Sequence, residues 1–331
     1  MTSVPSLEED KKAYIHWAKQ HPALPFGYHP CWLDAVCGPH AWSAVVAGSY
    51  QEPRGVWPFW YRRRGPFWEI NQPPLTPHLG PWLHRPPTTR NTRLYAEDTR
   101  VLLQLLERLP ACHYLQQNCP YHLHNMLPFH WAGWVQRPRY SYVLTLQDMD
   151  AASILAAFSQ GKRQEVRRGH RQGLQFVEHL SIDAFYAFHH SCLQAAGKKP
   201  LFTLEQIRRW HAALEPLGWN WLVGALNPEG QLMAAHWIVW QSHTAYNLMM
   251  ALAPAGKRCG ASAWLMYQIL SAVQSQTQQF DFEGSMDPRI EASYRQYGGR
   301  RHLFFFIQHN RHWLYRIRHA WRILRKHDVL G

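Results

Sequence analysis

Residues 280–299 read FDFEGSMDPRIEASYRQYGG, a segment that holds a strand, a tight turn and a helix in immediate succession. Phe280, Asp281, Phe282 and Glu283 alternate apolar and acidic, which predicts a short strand over Gln279–Glu283 with both carboxylates on one side of a sheet. Gly284 and Ser285 make the turn, and Pro288 opens a helix over Pro288–Tyr297. Glu283 falls at the C-terminal end of its strand, where α/β sheets place their ligand contacts. There it acts as a base or orients an amine. The competing reading is a carboxylate that accepts backbone N–H groups in the turn or pairs with an arginine from residues 163–171. Asp281 and Ser285 share the position and are candidate substrate-binding residues.

Working outward, three strands precede this segment: Trp219–Leu226, Gln231–Trp240 and Thr244–Leu252. Short turns make them an antiparallel meander, whereas the helix expected over Ala261–Ser275 crosses over to a parallel neighbour. A last strand is expected over Arg301–Ile307. The result is a mixed sheet of the kind that splits to admit a ligand. The first half has a helix-like stretch at His29–Val36 and strands at Trp42–Ala47, Val56–Tyr61 and Phe67–Ile70. A proline-rich loop over 71–89, a helix over Thr92–Leu109 and a strand over Ala111–Gln116 follow. These elements predict an α/β (α+β) chain of two domains, 1–138 and 139–308, each a mixed, mostly antiparallel sheet flanked by helices. A basic C-terminal helix over 309–331 completes the chain.

The 331 residues are 46% hydrophobic and 17% charged, a globular balance. No apolar run approaches the roughly 20 residues that span a bilayer, and the N-terminus lacks the apolar core of a secretory signal. The six cysteines are scattered without a CxxC pair, which suits reduced thiols and a cytoplasmic protein. Twenty-two histidines raise the question of a metal, but no HExxH and no His/Cys cluster at ligand spacing exists, so no metal site is expected. A formal charge of +13 favours anionic partners: nucleic acid, phosphorylated substrates or an acidic membrane surface. The densest charge lies in Ala151–Gly173, with Lys162, Arg163, Arg167, Arg168, His170 and Arg171.

A glycine-containing loop is expected over 253–260, between a strand and a helix start. Backbone N–H groups at such a place, with a helix dipole behind them, bind anions. Gly256 and Gly260 allow close approach, Lys257 and Arg258 add charge, and Ser262 adds a hydroxyl. An ordinary strand-to-helix turn with solvated basic residues fits the same letters.

Two resemblances attach to these residues. Lys257-Arg-Cys-Gly260-Ala-Ser262 is similar to the [Arg/Gln]-x-x-Gly-x-[Gly/Ala] loop with which GNAT acyltransferases hold the pyrophosphate of coenzyme A, with Lys and Ser at two defining positions. Tyr294, four residues before Gly298, has the spacing of the GNAT tyrosine that protonates the leaving thiolate; the alternative is a packed helix aromatic. The whole block 280–299 resembles the C-terminal signature of Fem-type proteins, a GNAT-related family with two GNAT-like domains. YHPCWLDAV (28–36), PPLTPHLGPWL (73–83) and RYSYVLTL (139–146) leading to KRQEVRRGHRQGLQF (162–176) fit the same family.

The resemblance implies an N-acyltransferase with acyl-CoA or aminoacyl-tRNA as donor substrate and no tightly bound cofactor. Its acceptor is a small-molecule or peptidoglycan-precursor amine, and Arg163, Arg167 and Arg168 match the family's basic helix, which binds phosphate. The chain lacks the inserted coiled-coil arm of the best-known members. No DNA partner is expected. In the C-terminal segment Trp313, Ile317, Trp321 and Leu324 fall on one helical face with arginines around them, a pattern that suits tRNA phosphate, the inner face of an anionic membrane, or packing on the last strand. A non-catalytic basic protein of the same fold, binding RNA or such a membrane, is the alternative to the enzyme.

Overall fold

The computed structural model describes residues 7–85, 90–241 and 243–311. In chain order the elements are α1 (Leu7–Gln20), α2 (Pro30–Cys37), β1 (Trp42–Gly48), β2 (Pro53–Arg64), β3 (Phe67–Asn71), β4 (Trp82–Leu83), α3 (Asn91–Arg108), β5 (Tyr114–Asn118), α4 (Leu127–Trp131) and β6 (Val135–Thr145). They continue as α5 (Ala151–Ala157), α6 (Gln160–Arg171), β7 (Gln175–Val177), α7 (Ile182–Ala195), α8 (Leu204–Leu214), β8 (Asn220–Leu226), β9 (Leu232–Gln241), β10 (Thr244–Leu252), α9 (Pro254–Cys259), α10 (Ala261–Val273), β11 (Gln279–Asp281), α11 (Pro288–Tyr294) and β12 (Arg300–Asn310). The chain forms two compact units. Among the described residues, one holds 7–22, Gly27–Arg139 and 303–311; the other holds Ala23–Phe26 and Tyr140–His302.

In the first unit β1, β2 and β3 form an antiparallel meander. The chain then crosses over through α3 and returns as β5, parallel to β3. The edge of β5 pairs antiparallel with β12, which the sequence had placed in the second domain. Trp57, Phe59, Leu102 and Leu105 are fully buried between sheet and helix. Helix α1 has no counterpart among the sequence expectations, although Tyr14, Trp17 and Ala18 recur at i, i+3 and i+4 and are all buried. Among the described residues of the proline-rich loop, Trp82 and Leu83 form β4, which pairs with Gly55 and Val56 of β2.

The second unit repeats the plan. Strands β8, β9 and β10 form the meander, α10 crosses over, and β11 returns parallel to β10. Antiparallel β6 then closes the far side of β11, and β7 pairs with β8 at the other edge. Both units therefore have the mixed, mostly antiparallel sheet flanked by helices that the pattern of elements predicts. Helix α10 is buried on most of its surface, with Trp264, Leu265, Met266, Ile269 and Leu270 all at 3% exposure or less. Helix α6 approaches it so closely that a Cβ on Gly169 would lie 2.6 Å from the Cβ of Trp264.

The stretch 253–260 is not a loop. Pro254 at the first helical position starts α9, and Gly260, at φ +81°, ends it and begins α10 in the same residue. The glycines have packing roles here. A Cβ on Gly256 would stand 2.1 Å from the Met233 carbonyl oxygen, and one on Gly260 would stand 2.4 Å from that of Glu165. At the C-terminus, His309 and Asn310 end β12, and the Arg311 amide donates to the His113 carbonyl at 3.0 Å. The expected basic helix otherwise lies outside the described residues. Among those described, no helix is long and apolar enough to cross a membrane.

Gly260→Ala must move the backbone of α6 as well as hold a left-handed residue, so it should lower stability by about 3 kcal/mol. Lys257→Ala, at an exposed position three residues away, should stay within about 0.5 kcal/mol of the parent. Urea denaturation of both variants, followed by tryptophan fluorescence, checks the contrast.

Candidate active site

The parallel pairing of β10 and β11 lasts three residues, Thr244–Gln279, Ala245–Phe280 and Tyr246–Asp281. Strand β11 then stops, whereas β10 runs on to Leu252. Past Tyr246 no strand among the described residues pairs with that edge of β10, and a bulge between Asn247 and Met249 bends it on its other side, against β9. A strand edge without a partner, inside a sheet, is a place where an extended ligand can hydrogen-bond to main chain.

The reason β11 stops is local. The Asp281 carboxylate accepts from the Glu283 backbone N–H at 2.8 Å and from the Ser141 hydroxyl at 2.5 Å. The first of these bonds is an Asx turn, which takes the chain out of the sheet. Glu283 is thereby held at φ +56°, the left-handed region that a non-glycine residue enters only at a cost of about 1–2 kcal/mol. This corrects the sequence reading: Asp281 ends the strand, and Glu283 stands in the turn beyond it. The next residue must be glycine, since a Cβ on Gly284 would meet the Tyr140 carbonyl oxygen at 2.2 Å.

The turn delivers Glu283 to a dry place. The residue is half-buried overall, but its Oε1 has no access to solvent and no hydrogen-bond partner among the described residues. Burial, together with the neighbouring Asp281 carboxylate, pushes its pKa well above the ordinary 4.5. Tyr294, the last residue of α11, stands beside it. The Tyr294 hydroxyl is pushed up to about 12 by burial, by Glu283 and by Tyr297, against an opposing hydrogen bond from the Asn247 side chain. The ring is located by packing. Fully buried Phe282 carries Tyr294 at 5.8 Å and stacks Tyr297 at 5.4 Å with 13° between planes. The Tyr142 hydroxyl also donates to Glu291, which pins α11 to β6.

Among the residues predicted from sequence, Glu283, Asp281 and Tyr294 thus come together. Ser285 is adjacent, with its hydroxyl accepting from the Asp287 amide at 3.1 Å. Ser262 lies at the start of α10, 3.5 Å from the Tyr297 hydroxyl. Gly256 and Gly260 are occupied by packing, while Lys257 and Arg258 are exposed on α9. The three arginines divide. Arg163 donates to the carbonyls of Ala156 and Phe158 at 3.1 and 2.7 Å, closing the end of α5. Arg168 donates to the Arg258 carbonyl at 3.1 Å, closing α9, and Arg167 is exposed. None of the three forms a hydrogen bond or ion pair with Tyr294 or Glu283 among the described residues.

Lys162 is the buried cation of this helix. It pairs with Glu165 at 3.0 Å and lies 5.2 Å from the centre of the Tyr297 ring. Sequence reading also missed Asn247 and His236, whose Nδ1 and Oδ1 atoms are 2.8 Å apart in the core of β9 and β10. Their signal was present, since a His and an Asn in otherwise apolar strands need partners. Among the described residues no group of three His, Cys, Asp or Glu gathers in a metal-binding arrangement.

An antiparallel meander, a helical crossover, a parallel strand that parts from its neighbour, and an acid and a tyrosine at the parting are now all in place. Residues 156–288, all within the second unit, match the acetyltransferase (GNAT) domain family. The second unit thus has the fold of a GNAT domain. Among solved structures the fold of this chain is similar to that of FemX, with a TM-score of 0.64 at 11% identity over 89% of this chain and 95% of that one. It is similar also to the C-terminal domain of a putative lysylphosphatidylglycerol synthetase from Agrobacterium fabrum, with a TM-score of 0.53 at 12% identity over 92% of each chain. No curated protein matches the sequence. At these identities the likeness is one of fold, and it extends over both units, as the Fem-type resemblance of the sequence implies.

A carboxyl group whose pKa is raised by folding binds its proton more tightly in the native state. Its contribution to stability is therefore complete below the ordinary value of 4.5 and is lost as pH rises through the folded value. Glu283→Gln removes that loss. Denaturation midpoints of the two proteins should converge in acid and separate toward neutral pH with the variant higher; parallel curves would show that Glu283 is not held protonated.

Proposed function

We propose that the second unit catalyses N-acyl transfer, with the donor's extended arm along the free edge of β10 and its acyl carbon near Glu283 and Tyr294. The observation that carries this reading is the convergence of a dry carboxyl and a half-buried tyrosine on the gap where β10 and β11 part. Both groups have pKa values shifted by their surroundings, which is what acid–base work in a cleft requires. The GNAT match and the fold shared with FemX support the same class of chemistry.

In the step proposed, the acceptor amine attacks the acyl carbon and the carbonyl oxygen takes the negative charge. Main-chain N–H groups at the open edge of β10 stabilise that oxyanion. The Glu283 carboxylate takes the proton that the nitrogen sheds. As the tetrahedral adduct collapses, the bond from carbon to the leaving sulfur or oxygen breaks, and Tyr294 protonates the leaving atom. The products are an amide and a free thiol or hydroxyl, and one proton then passes from Glu283 to restore the phenol. Asp281 holds Glu283 in its turn, and Ser141 holds Asp281.

Acyl-CoA is the donor we favour, because the GNAT family is built around it; the phosphate contacts fall to Lys257, Arg258, Arg167 and Ser262. Aminoacyl-tRNA is the second donor the fold admits, and a cell-envelope precursor is the acceptor that the Fem-type resemblance brings forward. Supplying the purified chain with acetyl-CoA and with charged tRNA in separate reactions, each with a panel of primary amines, separates these cases. A chain that binds neither donor sinks the enzyme reading in favour of a basic binding protein.

With the active donor, Tyr294→Phe and Glu283→Gln should each lower kcat about 10²–10⁴-fold with little change in donor Kd. The rate should rise with pH through the folded pKa of Glu283, above 4.5, because only the carboxylate accepts a proton. Glu283→Gln should abolish that limb of the pH–rate profile.

A further inference from the structure

We propose that the second unit binds a small organic cation with an apolar body, an alkyl- or arylammonium, in a cavity where β8 begins and β9 ends. The proposal does not depend on the transfer reading. The cavity has a volume of about 720 Å³, a size that takes a small organic molecule. Among the described residues that line it, none belongs to β10, β11 or α11, so it is separate from the gap that holds Glu283 and Tyr294. Strand pairing explains why the space is open. Strand β7 pairs only with Gly224, Ala225 and Leu226. Beyond Val177 the chain touches the edge of β8 again through the Leu180 amide, which donates to the Leu222 carbonyl at 2.9 Å. The first half of β8 therefore has no strand of the described residues on that side, and the ends of α8 and α10 stand over it.

The charges around this space favour a cation. Glu178 and Glu215 line it, whereas no Lys or Arg does among the described residues, in a chain that has 35 of them. The last residues of α10, Ala272 and Val273, and His211 in the last turn of α8 bring two negative helix ends to it. The N-terminus of α7 has the opposite sign, but its Ser181 cap already accepts from the Ala184 amide. Glu215 is the C-cap of α8, where the helix dipole disfavours a carboxylate. Its neighbour His211, 3.9 Å away, does not neutralise it, because burial lowers the imidazole pKa below the ordinary 6.5 in spite of Glu215. A bound cation offsets that cost. Trp221 and Trp240, both half-buried, supply apolar walls, with ring centres 5.8 Å apart and 78° between planes. Indole is the side chain that attracts an ammonium group most strongly. An anion meets two carboxylates here, and a neutral apolar molecule uses the tryptophans alone. A cation with an apolar body uses both.

The test is an NMR titration of the full chain labelled with ¹⁵N-tryptophan, using benzyltrimethylammonium as probe and benzyl alcohol and benzoate as its neutral and anionic counterparts. The indole signals of Trp221 and Trp240 are assigned by their loss in Trp221→Phe and Trp240→Phe; if one variant does not fold, the other still assigns its own signal. Both signals should shift saturably with the cation, at a Kd about tenfold or more below that of either counterpart. Glu178→Gln combined with Glu215→Gln, two exposed positions, should weaken the cation about fivefold or more and benzyl alcohol less than about twofold. Glu283→Gln should leave the cation's Kd within about twofold, since it lies in the other site. Indole signals that stay still up to about 10 mM cation, equal affinity for benzyl alcohol, or indifference to the double variant overturns the proposal. Binding lost in Glu283→Gln and kept in the double variant overturns it too, by moving the cation to the gap between β10 and β11, and leaves the transfer reading intact.

Discussion

The hydrogen bond from the Glu283 amide to the Asp281 carboxylate is the contact on which the rest of the candidate site depends. Without it β11 could continue alongside β10, the sheet would close, and Glu283 would lie in the strand. With it, the pairing ends after Asp281, Glu283 turns into the left-handed region, and Gly284 brings the chain against β6. Asp281 can serve in this way because it is itself buried and held by the Ser141 hydroxyl. A charged group in such a place needs its partners, and the turn supplies one of them from the main chain. The opening of the sheet and the placement of the acid thus have one cause.

Tyr294 reaches the same place by a different route. Its position follows from aromatic packing on Phe282, which the turn leaves fully buried, and from the Tyr142–Glu291 bond that ties α11 to β6. Lys162 and Tyr297 then close the space between α6 and α10. The arginines of α6 serve the fold before they serve any ligand, since two of the three expected to bind phosphate close the ends of neighbouring helices. Net charge raises the expectation of anionic partners but does not say which cations remain available for them.

Much of the fold could be read from the chain. The meander β8–β10, the crossover helix and the returning strand follow from apolar periodicity and short turns, and Thr244–Leu252 has the predicted ends. Helix α1 was legible in its i, i+3, i+4 burial but was obscured by the charged residues between. The helix α9 was not legible, because PAGKRCG has the composition of a loop. Pro254 and Gly260 bound the helix locally, but the close approach of Gly256 to the Met233 carbonyl, a contact between residues far apart in sequence, has no local signal. The strand β12 is likewise read as a strand from its sequence, while its pairing with β5 is not.

By itself, the sequence determined the elements whose hydrophobic pattern repeats within a few residues, and the spacing that puts an acid before a Gly-Ser turn and a tyrosine four residues before a glycine. Those are local quantities. Tertiary structure decided which of the polar residues face one another. Asp281 could have been a second site carboxylate and became the acceptor that bends the chain; Asn247 and His236 had no motif and became a buried pair between β9 and β10. Such choices depend on desolvation and on hydrogen bonds between strands remote in sequence, and both are set only when the sheet has formed.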